Sequence, residues 1–360
     1  MPELTLRQLL EDMVQRKASD LHITAGVPPE LRIDGSITPT EYEVLTPEKC
    51  ASLAYSVLSD DQRKRFETTK ELDFSFGVKG LSRFRSNVFL QRGVVSVAIR
   101  QIPYEILPMD KLGLPPVVRE FTNRQKGLVL VTGPTGSGKS TTLAAMLDKI
   151  NATRQCHIMT IEDPIEYIHH HKKSIVNQRE IGADTASFPT ALKYVLRQDP
   201  DVILIGEMRD LETIEAALTI AETGHLVFAT LHTNSTYEAV NRIVDVFPAD
   251  QQKQILTQLA FTLEGVMTQQ LVPRSRGTGR AMVAEVLVCT PAIRATIREG
   301  KVHQIYSLMQ AGQKFGMQTM NMALLQAVQD KQLTPDDAMD RSMDRMELEG
   351  MLQKVMRPAA

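Results

Sequence analysis

A short β-rich apolar run, Leu128 to Val131, passes directly into the glycine-rich stretch GPTGSGKS and then into Thr141 to Ile150, which reads as a helix. Gly133, Gly138, Lys139 and Ser140 stand at the G-x-x-x-x-G-K-[ST] spacing, and strand, loop and helix follow in the order that spacing requires. The pattern forces the loop to lie between the carboxyl end of a strand and the amino end of a helix. Glycines there let backbone N–H groups converge on phosphate oxygens, and the helix presents its positive end to the same point. Gly133, Pro134, Thr135, Gly136, Ser137, Gly138, Lys139, Ser140 and Thr141 are therefore the candidate nucleotide-binding residues. Lys139 would reach the β and γ phosphates and Ser140 would hold Mg²⁺. A glycine-rich turn without a ligand is the weaker alternative.

The rest of the chain bounds what such a loop can serve. At 360 residues it is long enough for about two domains. A formal net charge of −2, without basic stripes interleaved with aromatics, offers nothing to attract nucleic acid, which disfavours a DNA translocase. Cys50, Cys156 and Cys289 are far apart, which argues against a disulfide framework and a four-cysteine zinc site and fits a reducing compartment. No apolar run approaches the roughly 18 residues of a membrane span, and the amino-terminal stretch MPELTLRQLLEDM carries charges, so any membrane contact is expected to be peripheral.

Residues 1–100 alternate helix and strand patterns: a helix from Thr5, a strand near Ser19 to Ile23, a hairpin around Asp34-Gly35, helices from Thr46 and from Ser59 to about Thr68, then strands at 71–76, 81–91 and 94–100. This reads as a small PAS-like α+β domain. If Arg92-Gly93 is a two-residue turn, Arg85 lies directly opposite Arg100, an unfavourable juxtaposition unless an anion lies between them. The pair is either a phosphate clamp reaching a neighbouring subunit or two solvated arginines, with Arg83 a weaker third candidate. Proline and glycine punctuate 101–116, including Pro103, Pro108, Gly113, Pro115 and Pro116, as in a linker. From 117 to 360, strands at 128–131, 157–162, 202–206 and 226–231 alternate with helices at 141–150, 188–197 and 211–221, which predicts an α/β unit with a doubly wound, mostly parallel sheet. Beyond Asp245 the pattern is helical, at 250–268, 291–299, 303–310, 320–329 and 334–354, with one strand pair at 280–288 and near Leu271-Val272. The run His169-His170-His171-Lys172-Lys173 reads as a solvated loop.

Ligands of such sheets bind at the carboxyl ends of the strands, where three further motifs fall. Ile161-Glu162-Asp163-Pro164-Ile165-Glu166 sets carboxylates beside the phosphate site, to hold Mg²⁺ through water, to place the attacking water, or simply as a charged loop. In Asp201-Val202-Ile203-Leu204-Ile205-Gly206-Glu207, Gly206 takes the place of the usual Walker B aspartate. Mg²⁺ must then lean on Ser140 and on Glu162 or Asp163, and Glu207 is the candidate to polarise water, unless it merely pairs with Arg209. His232 ends the strand 226–231 and could donate to the γ-phosphate. His225 precedes that strand and has either a structural or a sensing role.

GPTGSGKST, IEDPIE, DPDVILIGEMRD and TGHLVFATLHTNS together resemble the Walker A, Asp box, atypical Walker B and His box of the secretion ATPases of the type II secretion and type IV pilus group, over essentially the whole chain. The resemblance implies a homohexameric ring of RecA-like P-loop ATPase domains, each preceded by a PAS-like domain, hydrolysing ATP with Mg²⁺. It also implies that Arg85 and Arg100 act on nucleotide, as the matching arginines do in that family. The expected location is the cytoplasmic face of the inner membrane at the base of a pilus, with a platform protein and a paralogous ATPase as partners. Pilus assembly and type II secretion members carry a long N-terminal extension and a zinc-binding tetracysteine region, and this sequence has neither. Ala292 to Glu299, AIRATIRE, resembles the AIRNLIRE element of retraction ATPases and departs from it at Ala295 and Thr296. Both features point to pilus retraction, and hence twitching motility, with an accessory ring of little independent hydrolysis as the rival reading.

Overall fold

The structure, a computed structural model, describes residues 4–33, 35–102, 105–276 and 279–356. Asp34 of the expected turn and Pro103 of the expected linker lie outside the described residues. The chain divides into two units, Met1–Glu105 with Glu166–Ile168, and Ile106–Ile165 with His169–Ala360.

The first unit contains α1 (Leu6–Gln15), β1 (Asp20–Ile23), β2 (Glu30–Ile33), β3 (Ser36–Pro39), α2 (Pro47–Tyr55), α3 (Asp60–Thr69), β4 (Glu71–Val78), β5 (Ser82–Gln91) and β6 (Val94–Ile102). Thr5 caps α1 through a reciprocal box with Gln8, and Leu6, Leu9, Leu10 and Met13 bury one face of it. The strands form an antiparallel sheet in the order β3-β2-β1-β6-β5-β4. Arg92 and Gly93 join β5 to β6 with φ of 52° and 80°, a two-residue turn with both residues left-handed, and this turn puts Arg85 opposite Arg100. Alternation then buries Phe84, Val88, Val97 and Ile99 and turns both arginines outward.

The second unit runs α4 (Val118–Thr122), β7 (Gly127–Thr132), α5 (Lys139–Thr153), β8 (His157–Glu162), β9 (Ile175–Glu180), α6 (Phe188–Val195), β10 (Val202–Ile205), α7 (Leu211–Glu222), β11 (Leu226–Leu231), α8 (Thr236–Asp245), α9 (Gln252–Thr262), β12 (Leu263–Pro273), β13 (Arg280–Val288), α10 (Pro291–Arg298), α11 (Ile305–Ala311), α12 (Met320–Gln329), α13 (Pro335–Arg341) and α14 (Arg345–Met356). The sheet order is β13-β12-β7-β11-β10-β8-β9, parallel except for the β12–β13 pair. Strands buried on both faces carry one core against α5, with Val129, Val131, Met146 and Leu147, and another against α6 to α9, with Leu128, Leu130, Ile214 and Leu259. Residues 106–116 pack onto this unit through Met109, Leu112 and Leu114 instead of standing apart as a linker.

Several expected boundaries are corrected. The helix read over 250–268 ends at Thr262, because Leu263 begins a strand beside β7. Gly265 makes the close approach possible: a Cβ there would lie 2.2 Å from the Phe121 ring. The helix read over 334–354 breaks at Ser342, whose backbone is extended and whose hydroxyl donates to Asn321 Oδ1 at 2.6 Å. Edge strand β9 was not predicted, since only Val176 and Glu180 of it are buried. The run 169–173 is not uniformly solvated: His169 is 8% exposed, and its pKa is lowered to about 4, chiefly by burial, so it packs as a neutral ring. Lys172 turns back to pair with Asp148 at 2.6 Å.

Candidate nucleotide site

In the loop after β7, close contact and left-handed backbone hold glycines at the two ends of the cradle. Gly133 has φ 134°, and a Cβ on it would meet the Gln269 carbonyl at 2.4 Å; Gly138 has φ 89°. Gln269, 1% exposed on β12, donates from Nε2 to the Ser137 carbonyl at 2.6 Å and braces the loop from behind. At its root the Thr132 and Thr268 hydroxyls share a buried 2.7 Å hydrogen bond. Whereas α6, α7, α8 and α10 start on Ser, Asp or Thr side chains that accept a helix N–H, α5 starts on Gly138 with no side-chain cap, so its first N–H groups are available to an anion. Lys139 Nζ donates to the carbonyls of Gly133 at 2.8 Å and Pro134 at 3.1 Å. Burial pushes its pKa down, and the negative charge of Glu207 opposes that. The loop fits a triphosphate, and the exposed Ser140 hydroxyl on the first turn of α5 is a hard oxygen donor of the kind Mg²⁺ takes.

The sheet order decides what faces this loop. β11 lies next to β7, then β10, then β8, each step about 4.8 Å. His232 therefore emerges one strand away, Glu207 two, and Glu162 with Asp163 three. Glu207 Oε1 lies 3.1 Å from His232 Nε2 and also accepts from Arg209 Nε. The Arg209 pairing weighed from sequence is thus present, but as part of a triad with His232. Burial pushes the Glu207 carboxyl up, yet the Arg209 hydrogen bond and the charges of His232 and Arg209 outweigh it and hold the group below the usual carboxylate range.

At Gly206, where an aspartate is usual, the backbone of β8 is close: a Cβ would lie 3.2 Å from Glu162 Cα and from the Ile161 carbonyl, tight enough that the neighbour would have to give by a few tenths of an ångström. Glu162 is 8% exposed and accepts at Oε1 from Thr160 at 2.6 Å and from Gln178 at 3.2 Å, while Asp163 is exposed. Glu166 groups with the first unit, where its carboxylate is 4.0 Å from Arg85.

His225 is not brought to the loop within the chain. It sits at the amino end of β11, and its Nδ1 lies 3.1 Å from the Ile220 carbonyl and 3.1 Å from the Thr223 hydroxyl at the end of α7. In the first unit, Arg100 donates from Nε to Asp20 at 2.8 Å, and Arg32 stands 3.8 Å from the same carboxylate. Asp20, the cross-strand neighbour of Arg100 on β1, is thus an anion that eases the Arg85–Arg100 opposition. Within 292–299 the two arginines differ: Arg294 donates to the carbonyls ending α9, from Nη1 to Ala260 at 2.9 Å and Phe261 at 3.1 Å, and pairs with Glu264, while Arg298 is exposed.

Sequence reasoning missed Gln269, Asp20 and a cavity of about 870 Å³ next to the loop, walled by Gly138, Thr141, Thr142, Leu271, Met282 and Ala327. Only Gln269 carried a signal, as the middle of the polar run Thr268-Gln269-Gln270 between the apolar pairs Val266-Met267 and Leu271-Val272.

A phosphate cradle at the carboxyl edge of a parallel sheet, with an imidazole and a carboxylate on the next two strands, defines a P-loop ATPase. The Type II/IV secretion system protein family matches residues 2–340, and the chain belongs to that family. It is 50% identical over 321 residues to the type IV pilus retraction ATPase PilT of Pseudomonas aeruginosa, covering 89% of this chain and 93% of the relative. It is 42% identical over 350 residues to the type IV pilus ATPase PilU of the same organism, covering 97% of this chain and 92% of the relative. A crystal structure of the pilus retraction motor PilT with bound ADP superimposes with a TM-score of 0.92 at 53% identity, over 97% of this chain and all of that one.

Proposed function

We propose that this chain is a subunit of a homohexameric ATP-hydrolysing motor that retracts type IV pili, acting at the cytoplasmic face of the inner membrane on the pilus platform protein. The observation that carries this is the phosphate loop with Glu207 and His232 on the two neighbouring strands, in a chain half identical to a pilus retraction ATPase over most of its length. No helix among the described residues is long and apolar enough to cross a membrane, so docking on membrane partners would be peripheral.

In this reading the loop N–H groups and the start of α5 bind the phosphates, and Lys139 swings from its loop carbonyls to the β and γ phosphates. Ser140, with help from Glu162 or Asp163, would hold Mg²⁺, which neutralises charge on the β and γ oxygens. Glu207, ionised at neutral pH, orients the water for in-line attack on the γ-phosphate, and His232 donates to the γ-phosphate oxygens. The base and ribose occupy the adjoining cavity. Arg85 and Arg100 reach the nucleotide from a neighbouring subunit, so that loss of phosphate loosens an interface and moves the ring.

Chromosomal deletion tests the proposal. Cells are expected to keep surface filaments and lose retraction, whereas bald cells would assign the chain to assembly. A second reading, an accessory ring working beside a paralogous motor, draws on the likeness to PilU, 42% identical over 350 residues, which is lower than the likeness to PilT. Robust ATP turnover by the purified chain alone would count against it.

A further inference from the structure

Glu285 on β13 is 2% exposed and takes no part in the phosphate site. Its two oxygens face different helices. Oε1 accepts from the Thr236 backbone N–H at 2.6 Å and from the Thr236 hydroxyl at 2.8 Å, and Oε2 accepts from the Met320 backbone N–H at 3.2 Å. Thr236 is the first residue of α8 and Met320 the first of α12, so a single carboxylate meets the positive ends of two helices. Both helices already have caps, Ser235 accepting from the Glu238 N–H and Thr319 from the Met322 N–H. What Glu285 adds is therefore a tie between them.

Each tied element leads to the site. Helix α8 begins just after the His232 segment, and α12 supplies Ala323, Gln326 and Ala327 to the cavity beside the loop. Glu285 itself lies opposite Thr268, whose hydroxyl bonds Thr132 at the root of the loop.

We propose that Glu285 is a positioning residue for ATP turnover, its carboxylate fixing the start of α8, and with it His232, against the helix that walls the nucleotide cavity. The proposal rests on the reading of His232 as a donor to the γ-phosphate. Glu285→Gln keeps the size and replaces one acceptor oxygen by an NH₂ that confronts a helix N–H.

The test compares kcat and KM for ATP in Glu285→Gln, His232→Ala and the double variant. Glu285→Gln is expected to lower kcat about tenfold, the scale of one lost charged hydrogen bond, and to raise KM through α12. Because it acts through His232, it should lower kcat no further once His232 is alanine. Losses that multiply in the double variant, or an unchanged kcat in Glu285→Gln, would overturn the proposal. A wild-type kcat in His232→Ala would overturn the reading of His232, and the proposal with it. Should Glu285→Gln fail to fold, Thr236→Val removes a single donor to Oε1 and faces the same test, with a smaller loss expected alone and none on top of His232→Ala.

Discussion

Replacing Glu207 with alanine is expected to leave ATP binding within a few-fold of wild type while lowering kcat by about 10²–10⁴, the usual contribution of a positioned acid–base group. The carboxylate is hydrogen-bonded to Arg209 and His232 and reaches the first turn of α5 only through its charge on Lys139, so a few-fold change in binding is all that is expected. Turnover is expected to fall because in the proposed mechanism this carboxylate, held ionised at the carboxyl edge between β8 and β11 with one oxygen steadied by His232 and Arg209, orients the water. Phosphate release measured beside equilibrium binding of a fluorescent ATP analogue separates the two effects. Unchanged turnover would shift the role to Glu162 or Asp163, on the next strand of the sheet.

Arg100→Ala is expected to lower turnover by about 10³–10⁵, as removal of an arginine finger does, again with nucleotide still bound. Misfolding is not the expected cause. The Arg100 side chain is 67% exposed, and its partner Asp20, although buried, keeps Arg32 at 3.8 Å as a second cation when Arg100 is removed. Thermal unfolding of the variant should therefore stay close to wild type while phosphate release is lost, and an unchanged kcat would remove Arg100 from the chemistry.

What was legible in the sequence follows from how local each constraint is. The Arg85–Arg100 register could be read because a two-residue turn at Arg92-Gly93 fixes it within one hairpin. Asp20 could not be paired with Arg100 beforehand, since the contact depends on β1 inserting beside β6 from far away in the chain. The phosphate loop was legible because its chemistry requires particular residues at fixed spacing. Its brace, Gln269, lies on a strand whose first half reads as a continuation of α9, and only the fit of Gly265 over Phe121 reveals the strand. Gly206 appeared from sequence as a missing ligand; in three dimensions it is also a position where β8 crowds β10, so that a side chain would require the neighbouring backbone to give by a few tenths of an ångström. His225 and His232 flank one strand, and its direction assigns them to opposite edges of the sheet.

The claim that most needs testing is that each hydrolytic site is shared by two subunits. Subunits carrying Glu207→Ala and subunits carrying Arg100→Ala, each inactive alone, can be co-assembled under two affinity tags and the doubly tagged rings assayed for phosphate release. If Arg100 acts on a neighbour's nucleotide, some interfaces in the mixed rings pair an intact Glu207 with an intact Arg100, and turnover returns. Mixed rings as inactive as either parent would mean that the arginine acts within its own subunit, contradicting the shared site.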